Sequence, residues 1–178
     1  MKQATRRRAS TRLNGHDYTE AGAYFVTVCT HDQQCILGDV VSDAVRLTPL
    51  GKVVAETWPA ACAHNPSVDL DVFVVMPNHV HGILVLRESV WAKHASPLRH
   101  RPKGTFRGSL SSIVQGFKSA ATRQARRDGI AFGGRLWQRG FYDHVIRNEA
   151  ELSRIRTYID ENPLRWALDE ENPDRDSR

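Results

Sequence analysis

Apolar positions fall on two different periods along this chain. The run AYFVTVCT from Ala23 is rich in β-branched and aromatic residues and predicts a strand. The segment CILGDVV reads either as a short second strand or as a loop with a Gly turn. From Thr48 the period lengthens: Pro49 suits a first helical position, and Val53, Val54, Thr57 and Trp58 repeat at helical spacing. Pro59 predicts a bend or stop in that helix. Two further apolar runs, VDLDVFVVM and HVHGILVL, are separated by Pro77 and Asn78, which predicts a tight hairpin or a strand kinked at Pro. Ser109 opens a helix to about Arg127, with Leu110, Ile113, Val114, Phe117 and Ala121 on one stripe and Lys118, Arg123, Arg126 and Arg127 on the polar side. Gly129, Gly133 and Gly134 end it, and LWQRGFYDHVI follows as extended structure. Asn148 caps a last helix, EAELSRIRTYIDEN, whose stripe is Leu152, Ile155 and Ile159.

This succession predicts one α+β domain over residues 18–168. Residues 1–17 read as a flexible basic arm (Arg6, Arg7, Arg8, Arg12), 87–108 as a basic loop, and 169–178 as a loose acidic tail. The length of 178 residues suits a single domain with tails. A net charge of +5 permits a polyanionic partner without requiring one. No apolar run is long enough for a membrane helix, and no apolar stretch follows the basic N-terminus as in a secretory signal. Three scattered cysteines give neither a disulfide framework nor a four-thiolate zinc site. The expectation is a cytoplasmic protein without a membrane partner.

The sharpest chemical feature is His79-Val80-His81. In a strand, residues i and i+2 share a face, roughly 6–7 Å apart, so two imidazoles can grip one divalent cation from one side. Apolar neighbours at both parities place this strand at the centre of its sheet. Two core histidines bonded to backbone or water satisfy the same pattern. On the last helix, Tyr158 and Asn162 are four residues apart and stand one above the other on the flank of the apolar stripe. Asn162 is in register to add an oxygen ligand beside a nucleophile at Tyr158. A half-buried Tyr and a C-terminal capping Asn are the plainer alternative. A phenol needs a nearby cation or base to attack phosphorus, because its ordinary pKa is about 10. Two imidazoles and an amide oxygen suit Mg²⁺ or Mn²⁺, and imidazole also accepts zinc.

Three segments, VFVVMPNHVHGILVL, LWQRGFYDHVIR and YIDENPLRW, together resemble the single-tyrosine HUH transposase family, closest to its REP-associated branch, over residues 20–168. The resemblance implies a ferredoxin-like or RRM-like sandwich with the HUH strand central in an antiparallel sheet. It implies a transposase acting on hairpin-forming single-stranded DNA in bacterial, nucleoid-associated DNA recombination. By position, His79 and His81 become metal ligands, Asn162 the third ligand, and Tyr158 the nucleophile that forms a 5′-phosphotyrosine intermediate. Asn162 stands where many mobile-element members carry Gln. Arg139, Arg154, Lys118, Arg123, Arg127, Trp137 and Tyr142 are candidate DNA contacts, and Tyr142 is the rival nucleophile. Relatives act as dimers or monomers, and a homodimer is carried as an expectation. A non-catalytic binder of structured single strands and an unrelated H-x-H metallohydrolase are the competing functions.

Overall fold

The computed structural model describes residues 20–63, 65–87, 108–169 and 171–173. The predicted N-terminal arm and nearly all of the basic loop lie outside these residues. Strand β1 (Gly22–Cys29) is followed by a hairpin of β2 (Gly38–Val41) and β3 (Ala44–Leu47). Helix α1 (Pro49–Ala63), strands β4 (Val68–Val75) and β5 (His79–Leu86), helix α2 (Leu110–Arg127), strand β6 (Tyr142–Ile146) and helix α3 (Glu149–Asp160) complete the order. The four-stranded sheet runs β4-β5-β1-β6, and every pairing in it is antiparallel. Without the β2–β3 insertion this is a β-α-β-β-α-β succession, the ferredoxin-like arrangement that the resemblance implies.

The two faces of the sheet bury different things. On one, Tyr24, Val26 and Val28 of β1 and Val80, Leu84 and Leu86 of β5 pack against α1 and α2. Trp58 of α1 and Phe117 of α2 meet edge to face at 4.2 Å, and Phe117 lies 5.3 Å from Trp137. Gly82 makes this possible. A Cβ there would stand 3.2 Å from the Trp58 indole and 3.3 Å from the Phe73 Cβ, so the strand yields its side chain to the helix. On the other face, Phe25, Ile83 and Ile146 receive Ile159 of α3, with Leu152 and Ile155 partly buried beside them. Being covered on both sides, β5 is buried along almost its whole length, as its unbroken apolar run requires.

Local devices fix where α3 sits. Asn148 accepts a hydrogen bond from the Glu151 amide and caps the helix start. The β4–β5 register shifts between Leu70 and Phe73. The shift reverses the parity of β4, so Leu70 and Phe73 both join the α1/α2 side while Val72 and Val74 join the α3 side. Asp71, inside the irregularity, accepts two hydrogen bonds from the Arg156 guanidinium at 2.9 and 2.6 Å and ties α3 to the sheet edge.

The helices and strands fall close to their predicted places; of the two readings of CILGDVV the strand holds, and two helices differ from expectation. CILGDVV supplies β2, paired with β3 through a turn in which Ser42 and Asp43 take positive φ. Helix α1 runs through Pro59 to Ala63 without stopping. Helix α3 closes at Asp160, leaving Asn162 in the turn that follows. The expectation of a loose tail from residue 169 is corrected for its described part. Asp169 and Glu171 are 9% and 6% exposed, because their carboxylates and backbone are hydrogen-bonded into the core end of the sheet.

Candidate active site

His79 and His81 project from β5 onto the α3 face, with ring centroids 4.3 Å apart. Both are buried, at 0% and 3% exposure. Each ring is oriented through its Nδ1. Asn78 donates from Nδ2 to the carbonyls of Gln33 (3.1 Å) and Glu171 (2.6 Å), which turns its Oδ1 toward His79 Nδ1 at 2.9 Å. A carbonyl oxygen only accepts, so the proton resides on His79 Nδ1 and the Nε2 lone pair is left for ligation. His81 Nδ1 lies 2.9 Å from Thr27 Oγ1, across the β1–β5 pairing that sets Thr27 opposite His81.

Tyr158 reaches this pair from α3. Its hydroxyl is 3.3 Å from His81 Nε2, and its ring centroid is 5.3 Å from that of His81. The residue is 38% exposed, so the phenol bridges the buried imidazoles and solvent. Phe25, on the neighbouring strand, touches both partners, at 5.1 Å from His81 and 6.0 Å from Tyr158. The helical stripe explains the placement. Ile159 is fully buried against the sheet, which leaves the preceding residue at the helix edge, above the imidazoles.

The oxygen donor of the group is Asp169. Ligating atoms of His79, His81 and Asp169 all lie within 4.8 Å of one another, and all three residues are buried. Asp169 Oδ1 accepts from the Glu171 amide at 2.7 Å, and Oδ2 accepts from Asn162 Nδ2 at 3.0 Å. Asn162 therefore stands beside the carboxylate, and its buried Oδ1 has no hydrogen-bond partner among the described residues. Two imidazole nitrogens and a carboxylate so grouped, with an orphaned amide oxygen on the residue beside the carboxylate, fit a divalent cation. Sequence reasoning missed Asp169, since it lies in an acidic stretch that reads as solvated. It also passed over Asn78 except as a turn residue. The position of Asn78 immediately before His79 was the available signal.

The remaining candidates disperse. Arg154 is exposed and lies one turn before Tyr158, where it borders two clefts: one lined by Phe25, Tyr142, His144, Glu151 and Ile155, the other by Thr157, Tyr158, Glu161 and Arg165. Tyr142 lines the first cleft, with its ring 6.3 Å from Phe25. Lys118, Arg123 and Trp137 line a separate cleft along α2. Trp137 is 5% exposed and donates from Nε1 to the Lys118 carbonyl at 3.1 Å, so its ring belongs to the core wall. Lys118 donates to the carbonyls of Gln138 (2.9 Å) and Gly140, and burial pushes its ammonium down to about 8. Arg127 and Arg139 are exposed, the former donating to Gln124 at 3.1 Å.

No family profile matches the chain. A Haemophilus influenzae protein described as "Uncharacterized protein" is 37% identical over 168 residues, covering 92% of both chains. A second H. influenzae protein, "Putative REP-associated tyrosine transposase", is 25% identical over 150 residues, 84% of this chain and 74% of that one. The fold is shared with the structure of a REP-associated tyrosine transposase bound to a REP hairpin. That likeness has a TM-score of 0.55 at 19% identity and covers 96% of this chain and 77% of the other. The fold is thus that of a tyrosine transposase. In sequence the chain is similar to one REP-associated tyrosine transposase-like protein, and it shares the fold of another. Among the described residues no helix is long and apolar enough to cross a membrane.

Proposed function

We propose that this protein cleaves and rejoins hairpin-forming single-stranded DNA through a covalent bond to Tyr158. The observation that carries the reading is the 3.3 Å approach of the Tyr158 hydroxyl to His81 Nε2, beside the His79–Asp169 group. Attack of the phenol oxygen on a backbone phosphorus forms the Tyr–O–P bond and breaks the bond to the 3′ oxygen. The phenol proton is lost and the departing 3′ oxygen gains one. The product is a 5′-phosphotyrosine and a free 3′-hydroxyl, which resealing reverses. In the arrangement described above, His81 Nε2 holds the hydroxyl at the edge of the imidazole pair. Ile159, packed in the core, fixes the helix that presents it.

His79, His81 and Asp169, with Asn162 Oδ1 adjacent, would hold a divalent metal such as Mg²⁺ or Mn²⁺. Such an ion polarises a phosphoryl oxygen and offsets charge in the transition state. Asn78 keeps the His79 Nε2 lone pair aimed inward, and Thr27 orients the His81 ring, whose Nε2 would pass from the Tyr158 hydroxyl to the ion when one binds. Arg154 and the basic faces of α2 supply contacts to a polyanion, and Phe25 and Tyr142 supply aromatic surface for unpaired bases. The likeness to a transposase that binds a REP hairpin supports a hairpin strand as the partner.

The test is incubation with a hairpin strand labelled at either end, with Mn²⁺ or Mg²⁺. The reading expects a 5′-labelled fragment released with a free 3′-hydroxyl, and the 3′-labelled fragment retained on protein, both abolished by chelator. Hydrolysis with both fragments released would instead favour a metallohydrolase. Binding without cleavage would favour a non-catalytic strand binder.

A further inference from the structure

We propose that the cleft between α3 and the β1–β6 edge takes one unpaired nucleobase of the bound strand, adjacent to the phosphate presented to Tyr158. The inference rests on the reading above and adds a ligand subsite to it. The cleft has a volume of about 320 Å³ and is lined by Phe25, Tyr142, His144, Glu151, Arg154 and Ile155. That volume sits at the low end of small-molecule pockets, the scale of a single planar ring system.

Its floor is aromatic and aliphatic. Phe25 meets Tyr142 on one side and Tyr158 on the other, edge to face in both cases, with centroids 6.3 and 6.0 Å apart. One ring is therefore the wall between the cleft and the candidate nucleophile. A strand whose phosphate lies at Tyr158 has its neighbouring base within reach of Phe25 and Tyr142. Its rim carries Arg154, which has no hydrogen bond or ion pair among the described residues and which also borders the cleft containing Tyr158. A single guanidinium between the two clefts suits the phosphate that links them.

The carboxylate on the polar wall is already engaged by the protein. His144 Nε2 lies 2.8 Å from Glu151 Oε1, and Glu151 Oε2 accepts from the Arg147 amide at 2.8 Å. Both carboxylate oxygens are thus engaged by the protein, and the negative charge is offset locally. What the cleft offers a strand is π surface and shape, which every base can use.

The test uses a Tyr158→Phe background, which binds without cleaving, and a hairpin-forming single strand that the parent protein cleaves. The fluorescent base 2-aminopurine is placed in turn at each single-stranded position flanking the hairpin. One position next to the cleavage point should be quenched on binding, and an abasic site there should weaken binding about tenfold, about 1.4 kcal/mol. Tyr142→Ala should remove the quenching and make the intact strand bind as weakly as the abasic one, while Tyr142→Phe keeps both. Arg154→Ala should weaken intact and abasic strands equally. If Tyr142→Ala leaves every position unchanged while Tyr158 still forms its adduct in the parent protein, the base pocket is wrong and the strand-transfer reading survives. If the parent protein forms no adduct at all, both fall.

Discussion

Asn78 Oδ1 accepts from His79 Nδ1 at 2.9 Å, and the Asn78 amide is itself held by the carbonyls of Gln33 and Glu171. This small network decides which nitrogen of a buried imidazole faces the candidate metal site. It links the β4–β5 turn, the segment after β1 and the C-terminal segment around one ring.

Asn78→Ala removes the acceptor and frees the ring to rotate or change tautomer. The expected result is a 10- to 100-fold loss of Mn²⁺ affinity, measured by titration calorimetry or electron paramagnetic resonance, with the fold retained by circular dichroism. Unchanged affinity would mean that Asn78 serves only the turn.

Asp169 belongs to the same test of the site, from the opposite side. Asp169→Asn keeps the volume but removes the charge beside His79 and His81. Mn²⁺ binding should fall at least tenfold. Asn162→Ala, which deletes both the contact to Asp169 Oδ2 and the orphaned oxygen, should weaken binding by a smaller factor. Equal and negligible effects would remove the carboxylate from the candidate ligand set.

Gly82 tests the packing that positions the whole strand. Gly82→Ala places a methyl group 3.2 Å from the Trp58 indole on the face opposite the histidines. Helix α1 or the ring must give way, and a loss of about 1–3 kcal/mol is expected in urea unfolding. A neutral result would mean that α1 shifts freely over the sheet.

Lys118 gives the fold a signature in alkaline solution. Burial lowers its ammonium from the ordinary 10.5 to about 8. Between those values the unfolded chain keeps a proton that the folded chain has released, so stability rises with pH across the window. Cys62 acts oppositely: burial raises its thiol from 9.0 to about 11, so the folded state keeps the proton and stability falls from about pH 9 upward. From pH 8 to 9 only the lysine contributes of these two. Urea midpoints over that range should climb in the parent protein relative to Lys118→Met. Parallel curves would refute the assignment.

Much of this architecture is legible in the order of residues, for identifiable reasons. The stripe Leu110, Ile113, Val114, Phe117 and Ala121 is buried as its period demands, and Ser109 and Asn148 accept the capping bonds. The shared face of His79 and His81 follows from strand geometry alone. Proline disfavours a helix interior, yet α1 does not stop at Pro59: Trp58 and Cys62, buried on either side, hold the helix to the core. Asp169 and Glu171 mislead because a charged run ordinarily stays in water. Their burial is compensated by a contact from nearby Asn162 and by contacts from Gln33 and Asn78, which are distant in sequence and brought in only by the fold. The predicted arm at residues 1–17 and nearly all of the basic loop fall outside the described residues.

The central claim concerns which hydroxyl becomes bonded to DNA. The protein is incubated with its hairpin strand and Mn²⁺, the covalent complex is isolated and digested with protease and nuclease, and the nucleotide-bearing peptide is sequenced by mass spectrometry. The account predicts a nucleotide on Tyr158, in the peptide spanning α3, and no covalent complex from Tyr158→Phe. A nucleotide on Tyr142, or a complex that persists in Tyr158→Phe, would contradict it.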